Sequence, residues 1–193
     1  MPSTLKILAF AGSVRRDSFN RKLLRLAVAG AEEAGAEVTV VDLRDYPLPI
    51  FDQDLEAESG PPENAKALKK LFIEHHALLI ASPEYNSSVT PLMKNTIDWV
   101  SRPVAGELAL AGFHGKVATL ISASPGTLGG LRGLIQLRSI LGNIGVIVLP
   151  EQIAVPLANE AFDAHGALKN ERQAAKVKNI GAGLVFMARR FAP

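Results

Sequence analysis

At 193 residues, with 48% hydrophobic and 21% charged side chains, the chain has the size and composition of one globular domain with a full core. Its 21 Lys and Arg stand against 19 Asp and Glu, a net charge of only +2 without long like-charge runs, so no nucleic-acid footprint is present. The absence of cysteine excludes disulfides, thiolate metal sites, iron–sulfur clusters and cysteine nucleophiles, and it suits a reducing cytoplasm.

The opening Met1-Pro2-Ser3-Thr4-Leu5-Lys6 runs directly into a strand pattern and lacks the parts of a signal peptide. No apolar stretch approaches the roughly 18 residues of a membrane span, so a cytoplasmic protein without a membrane partner is expected. Leu5–Ala11 is a nearly continuous apolar run, the mark of a parallel strand covered on both faces. The loop after it reads Gly12-Ser13-Val14-Arg15-Arg16-Asp17-Ser18-Phe19-Asn20. Gly12 allows a tight turn, Ser13, Ser18 and Asn20 offer neutral donors, and Arg15 or Arg16 offers a planar charged one. A helix starting near Ser18 would aim its free amides and positive dipole end into the loop, making a cup for a phosphate monoester. The plainer alternative is that Ser18 only caps the helix while the arginines are solvated. Asp17 should point away from any phosphate. The loop matches neither Gly-x-Gly-x-x-Gly nor Gly-x4-Gly-Lys-Ser/Thr.

Leu23, Leu24, Ala27, Val28, Ala31 and Ala34 form a helical stripe that Gly35 stops, and Glu37–Asp42 is the second strand. The link Leu43–Pro62, with Pro47, Pro49, Pro61 and Pro62, is about 20 residues long and reads as an extended, functional or subunit-covering connection. A stripe at Leu68, Leu71 and Phe72 precedes the third strand, Ala77–Ala81. That strand leads into Ser82-Pro83-Glu84-Tyr85-Asn86-Ser87-Ser88-Val89-Thr90-Pro91, in which Thr90 caps a helix with Pro91 in its first turn. Glu84, Tyr85 and Asn86 make a polar, aromatic shelf for a ring with hydrogen-bonding edges, or else an ordinary surface turn. The sequon Asn86-Ser87-Ser88 is discounted, since nothing directs the chain to secretion.

The fourth strand, Lys116–Ile121, runs into Ser122-Ala123-Ser124-Pro125-Gly126-Thr127-Leu128-Gly129-Gly130, small enough for a ligand to press on the backbone or for tight helix packing. Leu128, Leu131, Leu134, Ile135, Leu137, Ile140 and Leu141 are apolar over more than one face, which implies burial against a second subunit or a thicker core. Ile144–Leu149 is the fifth strand, and Ala174, Val177, Gly181, Leu184 and Ala188 mark a closing helix. Strand and helix repeated five times predict a doubly wound α/β domain spanning the chain. The sheet is parallel and flavodoxin-like, in order 2-1-3-4-5, with helices on both faces and ligands at the carboxyl ends of its strands.

The segments Gly12–Asn20 and Ser82–Trp99 together resemble the NADPH-dependent FMN reductase family, which includes azoreductase-, quinone reductase- and chromate reductase-type members. The resemblance covers roughly Leu5 to Glu151. It implies an enzyme with bound FMN that takes electrons from NADPH or NADH and passes them by ping-pong hydride transfer to a small-molecule acceptor: a quinone, an azo compound, free flavin or chromate. By position it places Ser13, Arg15, Ser18, Phe19 (through its amide) and Asn20 at the FMN phosphate. Pro83, Glu84, Tyr85 and Asn86 fall beside the ring, and Ser124 and Gly126 at a third contact where Pro125 departs from the pattern. It implies a homodimer or homotetramer and requires no catalytic side chain, because the cofactor carries the chemistry.

Two rival readings use the same residues. A flavodoxin-type electron carrier shares the fold and cofactor, although the near-neutral charge is unlike an acidic docking surface. A serine hydrolase would use Ser124 with Asp163 and His165, but Ser122 replaces the elbow's first glycine. A receiver domain fails for want of an acidic cluster at the strand ends. His75, His76, His114 and His165 are scattered, so no metal site is expected.

Overall fold

The computed structural model describes residues 4–191; the expectation for Met1, Pro2 and Ser3 lies outside them. Five strands, β1 (Lys6–Ala11), β2 (Glu37–Val41), β3 (Ala77–Ala81), β4 (Val117–Ala123) and β5 (Ile147–Val155), form one sheet in order β2-β1-β3-β4-β5. Every neighbouring pair is parallel. The helices are α1 (Phe19–Glu33), α2 (Gln53–Ser59), α3 (Glu63–Glu74), α4 (Pro91–Val100), α5 (Leu131–Asn143), α6 (Ala158–Ala161) and α7 (Glu171–Phe191). The flavodoxin-like architecture read from the sequence is the one observed.

Alternation along each strand divides the core between the two faces. Ile7, Ala9 and Ala11 of β1 and Leu79 of β3 meet α1 and α7, whereas Leu8, Phe10, Leu78 and Ile80 meet α3, α4 and α5. Both sets are buried, which is why the strands read as continuous apolar runs. On the first face the helices approach almost backbone to backbone. A Cβ on Gly30 would overlap the Lys178 carbonyl oxygen, and one on Gly181 would overlap that of Ala27. On the second face Phe10, Phe72 and Phe113 pack as a tilted aromatic row with centroids 5.4 and 5.1 Å apart.

Three sequence expectations shift. The fifth strand is not Ile144–Leu149 but Ile147–Val155. Its register against β4 slips between Ala118 and Leu120, an edge-strand irregularity that accommodates Pro150 without ending the strand. The Leu43–Pro62 link holds a short 3₁₀ turn and α2, and it is strapped to α4. Trp99 Nε1 donates to the Pro49 carbonyl (2.8 Å), Asn95 bonds both Pro49 and Phe51, and Arg102 grips Glu56. On α5, Leu134, Leu137 and Leu141 enter the core, but Ile135, and Leu128 in the loop before the helix, remain 54% and 47% exposed. Among the described residues no further core layer covers them.

Candidate functional site

The first loop is held from both sides. Gly12 donates its N–H to Ala81 (2.9 Å), and its carbonyl accepts from Thr90 Oγ1 (2.9 Å), the hydroxyl that also caps α4 by accepting from Met93. A Cβ on Gly12 would come within 2.8 Å of the Met93 methyl and 3.2 Å of Thr90 Oγ1, so a side chain there requires the Met93 end to move. At the other end Asn20, buried, spans to β4: its Nδ2 donates to the Ala123 carbonyl (2.8 Å) and its Oδ1 accepts from the Ala123 N–H (3.0 Å). The loop between these anchors is a fixed rim across β1, β3 and β4.

Ser18 does cap α1, accepting from the Arg21 amide at 3.4 Å. Capping and cup are therefore compatible, because the Phe19 and Asn20 amides, one residue on, make no bond within the described residues. Arg15 lies over the Phe19 ring (5.2 Å), and that ring stacks on Phe162 (5.6 Å). This holds the guanidinium beside the helix N-terminus without neutralising it. Asp17 pairs with Lys22 (3.1 Å) and is largely exposed, turned out of the cup as expected.

Beyond β3, Pro83 is buried, and Tyr85 and Ser88 exchange both backbone hydrogen bonds (3.0 Å each) around Asn86 and Ser87. These two residues have φ of 50° and 67°, the pattern of a type I′ turn. Asparagine tolerates that conformation; serine does so with strain. Tyr85 is therefore thrust outward, about half exposed. Glu84 turns inward, where its Oε1 accepts from Arg132 Nε (2.8 Å) and its Oε2 from the Gly133 amide (3.1 Å) in the first turn of α5. Burial opposes ionisation of Glu84, but the Arg132 and Gly133 hydrogen bonds outweigh it and hold its carboxyl below the usual range.

These segments enclose a cleft of about 180 Å³ lined by Ser13, Arg15, Ser18, Phe19, Asn20, Pro83, Glu84, Tyr85, Ala123, Ser124 and Pro125. Of the residues expected from the sequence, Asn86 and Gly126 do not line it. Asn86 shapes the turn that presents Tyr85, and the Gly126 amide donates to Ser124 Oγ (3.2 Å). The Asn20 side chain is engaged by β4, leaving its amide as its available donor. Thr90 and Arg132 hold the loops without lining the cleft. The Thr90 cap was legible in the sequence, whereas its bond to Gly12 and the Arg132–Glu84 pair need the tertiary structure. The donor set of Ser13, Ser18, Arg15 and two amides at a helix end is complementary to a phosphate monoester, and Tyr85 with Pro83 offers an apolar edge beside it. FMN has that chemistry, so the residues present fit the group.

The hydrolase arrangement is not assembled. Asp163 Oδ1 accepts from the amides of His165 and Ala167 within its own turn (2.9 Å each), and among the described residues no histidine bonds Ser124. Nor do the described residues contain a cluster of His, Asp and Glu suited to a metal.

The five-stranded parallel sheet in order 2-1-3-4-5, with a cleft at its carboxyl end, is the flavodoxin-like class of fold. The chain matches the NADPH-dependent FMN reductase family over residues 5–160 and belongs to it. It is 31% identical over 191 residues to an NAD(P)H-dependent FMN reductase of Pseudomonas aeruginosa, covering 98% of each chain. It is 33% identical to an NAD(P)H:quinone oxidoreductase of Solanum tuberosum, covering 95% of this chain and 93% of that one. The solved structure of FerB, an NAD(P)H:(acceptor) oxidoreductase from Paracoccus denitrificans, superposes with a TM-score of 0.81 at 29% identity, over 97% and 98% of the two chains. The chain is thus an oxidoreductase enzyme of the flavoprotein class, with FMN and a reduced nicotinamide nucleotide as its cofactors.

Proposed function

We propose that this chain binds FMN with its phosphate in the Gly12–Asn20 cup and its ring along Pro83–Tyr85, and that it reduces quinones and related small acceptors with electrons from NAD(P)H. The observation that carries this reading is the convergence of three strand-end loops on one cleft. One wall supplies hydroxyls, amides and a guanidinium, and the other an exposed tyrosine. FMN, when bound, supplies hydride acceptance from the nicotinamide and electron delivery to the acceptor. The chain's own residues do the rest. Ser13, Ser18, Arg15 and the Phe19 and Asn20 amides neutralise the phosphate. Asn20 and Thr90 keep that cup in register with β3 and β4, and the Glu84–Arg132 pair fixes the loop that carries Pro83 and Tyr85. The open side by Tyr85 admits donor and acceptor in turn, which supports a ping-pong sequence. Azo compounds, free flavin and chromate are the other acceptors of the same reading.

The uncovered stripe of Leu131 and Ile135 on α5, with Leu128 just before it, supports a homodimer or homotetramer built on that face. The α1–α7 contact ties the last helix to the sheet and supports one functional domain spanning the chain. Among the described residues no helix is long and apolar enough to cross a membrane, and the lack of cysteine favours a cytoplasmic setting.

The test is an FMN titration followed by steady-state kinetics with NADPH, NADH and a benzoquinone. The wild-type protein should bind FMN tightly and give parallel double-reciprocal lines. Combining Arg15→Ala with Ser18→Ala should abolish tight binding while the fold persists. Unchanged FMN affinity in that double variant would place the cofactor elsewhere, and intersecting lines would overturn the ping-pong sequence.

A further inference from the structure

The opposite end of the sheet, where the strands begin, carries a second polar hollow. It measures about 190 Å³ and is lined by His75, His76, His114, Lys116, Ile73 and Phe191, with Ala188 and Gly115 completing it. No acidic side chain lines it. Lys116 is buried, at 8% exposure, and pairs with no carboxylate among the described residues. The other buried lysine differs: Lys69 is matched by Glu107 at 2.6 Å. A buried ammonium without a counter-charge is costly, and desolvation pushes the Lys116 pKa below that of an ordinary lysine.

Part of its charge is answered by the chain. Lys116 Nζ donates to the His75 carbonyl at the end of α3, which leaves two of its three donors unassigned. His75 is fully engaged, with Nδ1 against the Leu71 carbonyl (2.6 Å) and Nε2 against Thr39 Oγ1 (2.7 Å). His76 Nδ1 accepts the Lys6 amide (2.9 Å), which fixes the hydrogen of the neutral ring on Nε2 as a donor. The His114 N–H donates to the Leu110 carbonyl (2.9 Å), but its imidazole makes no hydrogen bond among the described residues, and the residue is exposed at the mouth. The neighbouring charges are turned to other partners. Glu74 faces Lys70 at 3.8 Å, Arg189 bonds the Ala34 and Gly35 carbonyls, and Arg190 lies over Phe186.

We propose that this hollow is a binding site for a small tetrahedral oxyanion of the phosphate type, seated on Lys116 and bounded by the donors of His76 and His114. The anion supplies the counter-charge that the buried ammonium lacks, and by bridging α3 to β4 it ties together the end of the sheet remote from the cofactor cleft. The site is separate from the phosphate cup of the first loop, and the proposal does not depend on the FMN assignment.

Inorganic phosphate is the probe, titrated into FMN-loaded protein at constant ionic strength with chloride as the balancing anion. The readouts are the ring-proton resonances of His76 and His114 and the thermal midpoint. The expected result is saturable movement of both resonances with a common midpoint and a matching rise in thermal stability. The combined variant His76→Gln, His114→Gln leaves the Lys116–His75 bond intact and should weaken binding roughly tenfold, as loss of charge-assisted or donor hydrogen bonds does. Lys116→Met should abolish it, but because Lys116 also joins β4 to α3 the histidine variant keeps the test decisive if that protein fails to fold. Should the protein take up no FMN, the same titration on Arg15→Ala removes the competing cup. A linear, unsaturable response overturns the proposal. So does saturation that survives the histidine changes but vanishes with Arg15→Ala.

Discussion

The two principal walls of the cleft reach rigidity by different routes. The Gly12–Asn20 loop is pinned entirely by others. Ala81 and Thr90 hold Gly12, and Ala123 holds Asn20, so the Ser13 hydroxyl, the Arg15 guanidinium and the O–H of the capping Ser18 keep their donors for a ligand. The Pro83–Ser88 loop is held mostly by itself, through a closed turn with two positive φ angles, plus one carboxylate anchored on α5. In the first wall, apart from Ser18, whose Oγ also caps α1, the holding groups and the groups offered to a ligand are different atoms, so stability and affinity can be separated by mutation at Arg15. In the second they are the same few residues, and the two properties move together.

Asn20→Ala should have the largest effect. It leaves the Ala123 N–H and carbonyl unpaired in a buried setting, and loss of about 3 kcal/mol is expected, since each orphaned group costs roughly 1–3 kcal/mol. FMN affinity should fall with it, because the rim is no longer tied to β4. Denaturant unfolding and an FMN titration of one preparation check both. Arg15→Ala is the counterpart: about 2 kcal/mol of FMN affinity, roughly 30-fold, should be lost with the unfolding midpoint nearly unchanged. If Arg15→Ala destabilised the apo-protein as Asn20→Ala does, the division between holding and binding atoms would be wrong.

Glu84→Gln probes the second wall, with an expected loss of about 1 kcal/mol at neutral pH for a partly screened pair of hydrogen bonds. Its sign with pH follows from the lowered pKa. A carboxylate whose folded pKa lies below its unfolded value contributes fully above the unfolded value, and that contribution disappears as pH falls through the folded one. Wild type and variant should therefore converge in stability in acid and diverge towards neutrality. The flavin reduction potential should shift as well, because the same carboxylate fixes the loop that carries Tyr85. A variant that loses stability without moving the potential would separate the loop's two roles.

How far the sequence reached depended on the range of the interaction. The sheet order was legible because buried parallel strands must be apolar throughout, and Leu5–Ala11 and Ala77–Ala81 are. Ser13, Arg15 and Ser18, which line the cleft, are legible because they fall within one stretch of nine residues. Asn20 was assigned to the phosphate as a side chain, whereas its amide group bonds Ala123, which is 103 positions away. The resemblance implies a contact at Gly126, which does not line the cleft and whose amide donates to Ser124 two residues back. The extension of β5 past Pro150 was hidden for a related reason: a proline ends a central strand but not an irregular edge strand, and edge position is a property of the whole sheet.

The smallest prediction is the sharpest for the comparison. Ser87 holds φ of 67° in a turn that its own side chain does nothing to stabilise among the described hydrogen bonds. Glycine adopts that conformation without a Cβ penalty, so Ser87→Gly should be neutral or stabilising by about 0.5 kcal/mol, the relieved strain offset by glycine's larger unfolded-state entropy. A self-held wall ought to pass that gain to its ligand, giving tighter FMN binding or an altered reduction potential in the same variant. Paired thermal unfolding and potentiometric titration read both quantities. If stability rose while the potential and affinity stayed fixed, the turn would be scaffold alone. Glu84, rather than the strained backbone, would then be the element that couples this wall to the cofactor.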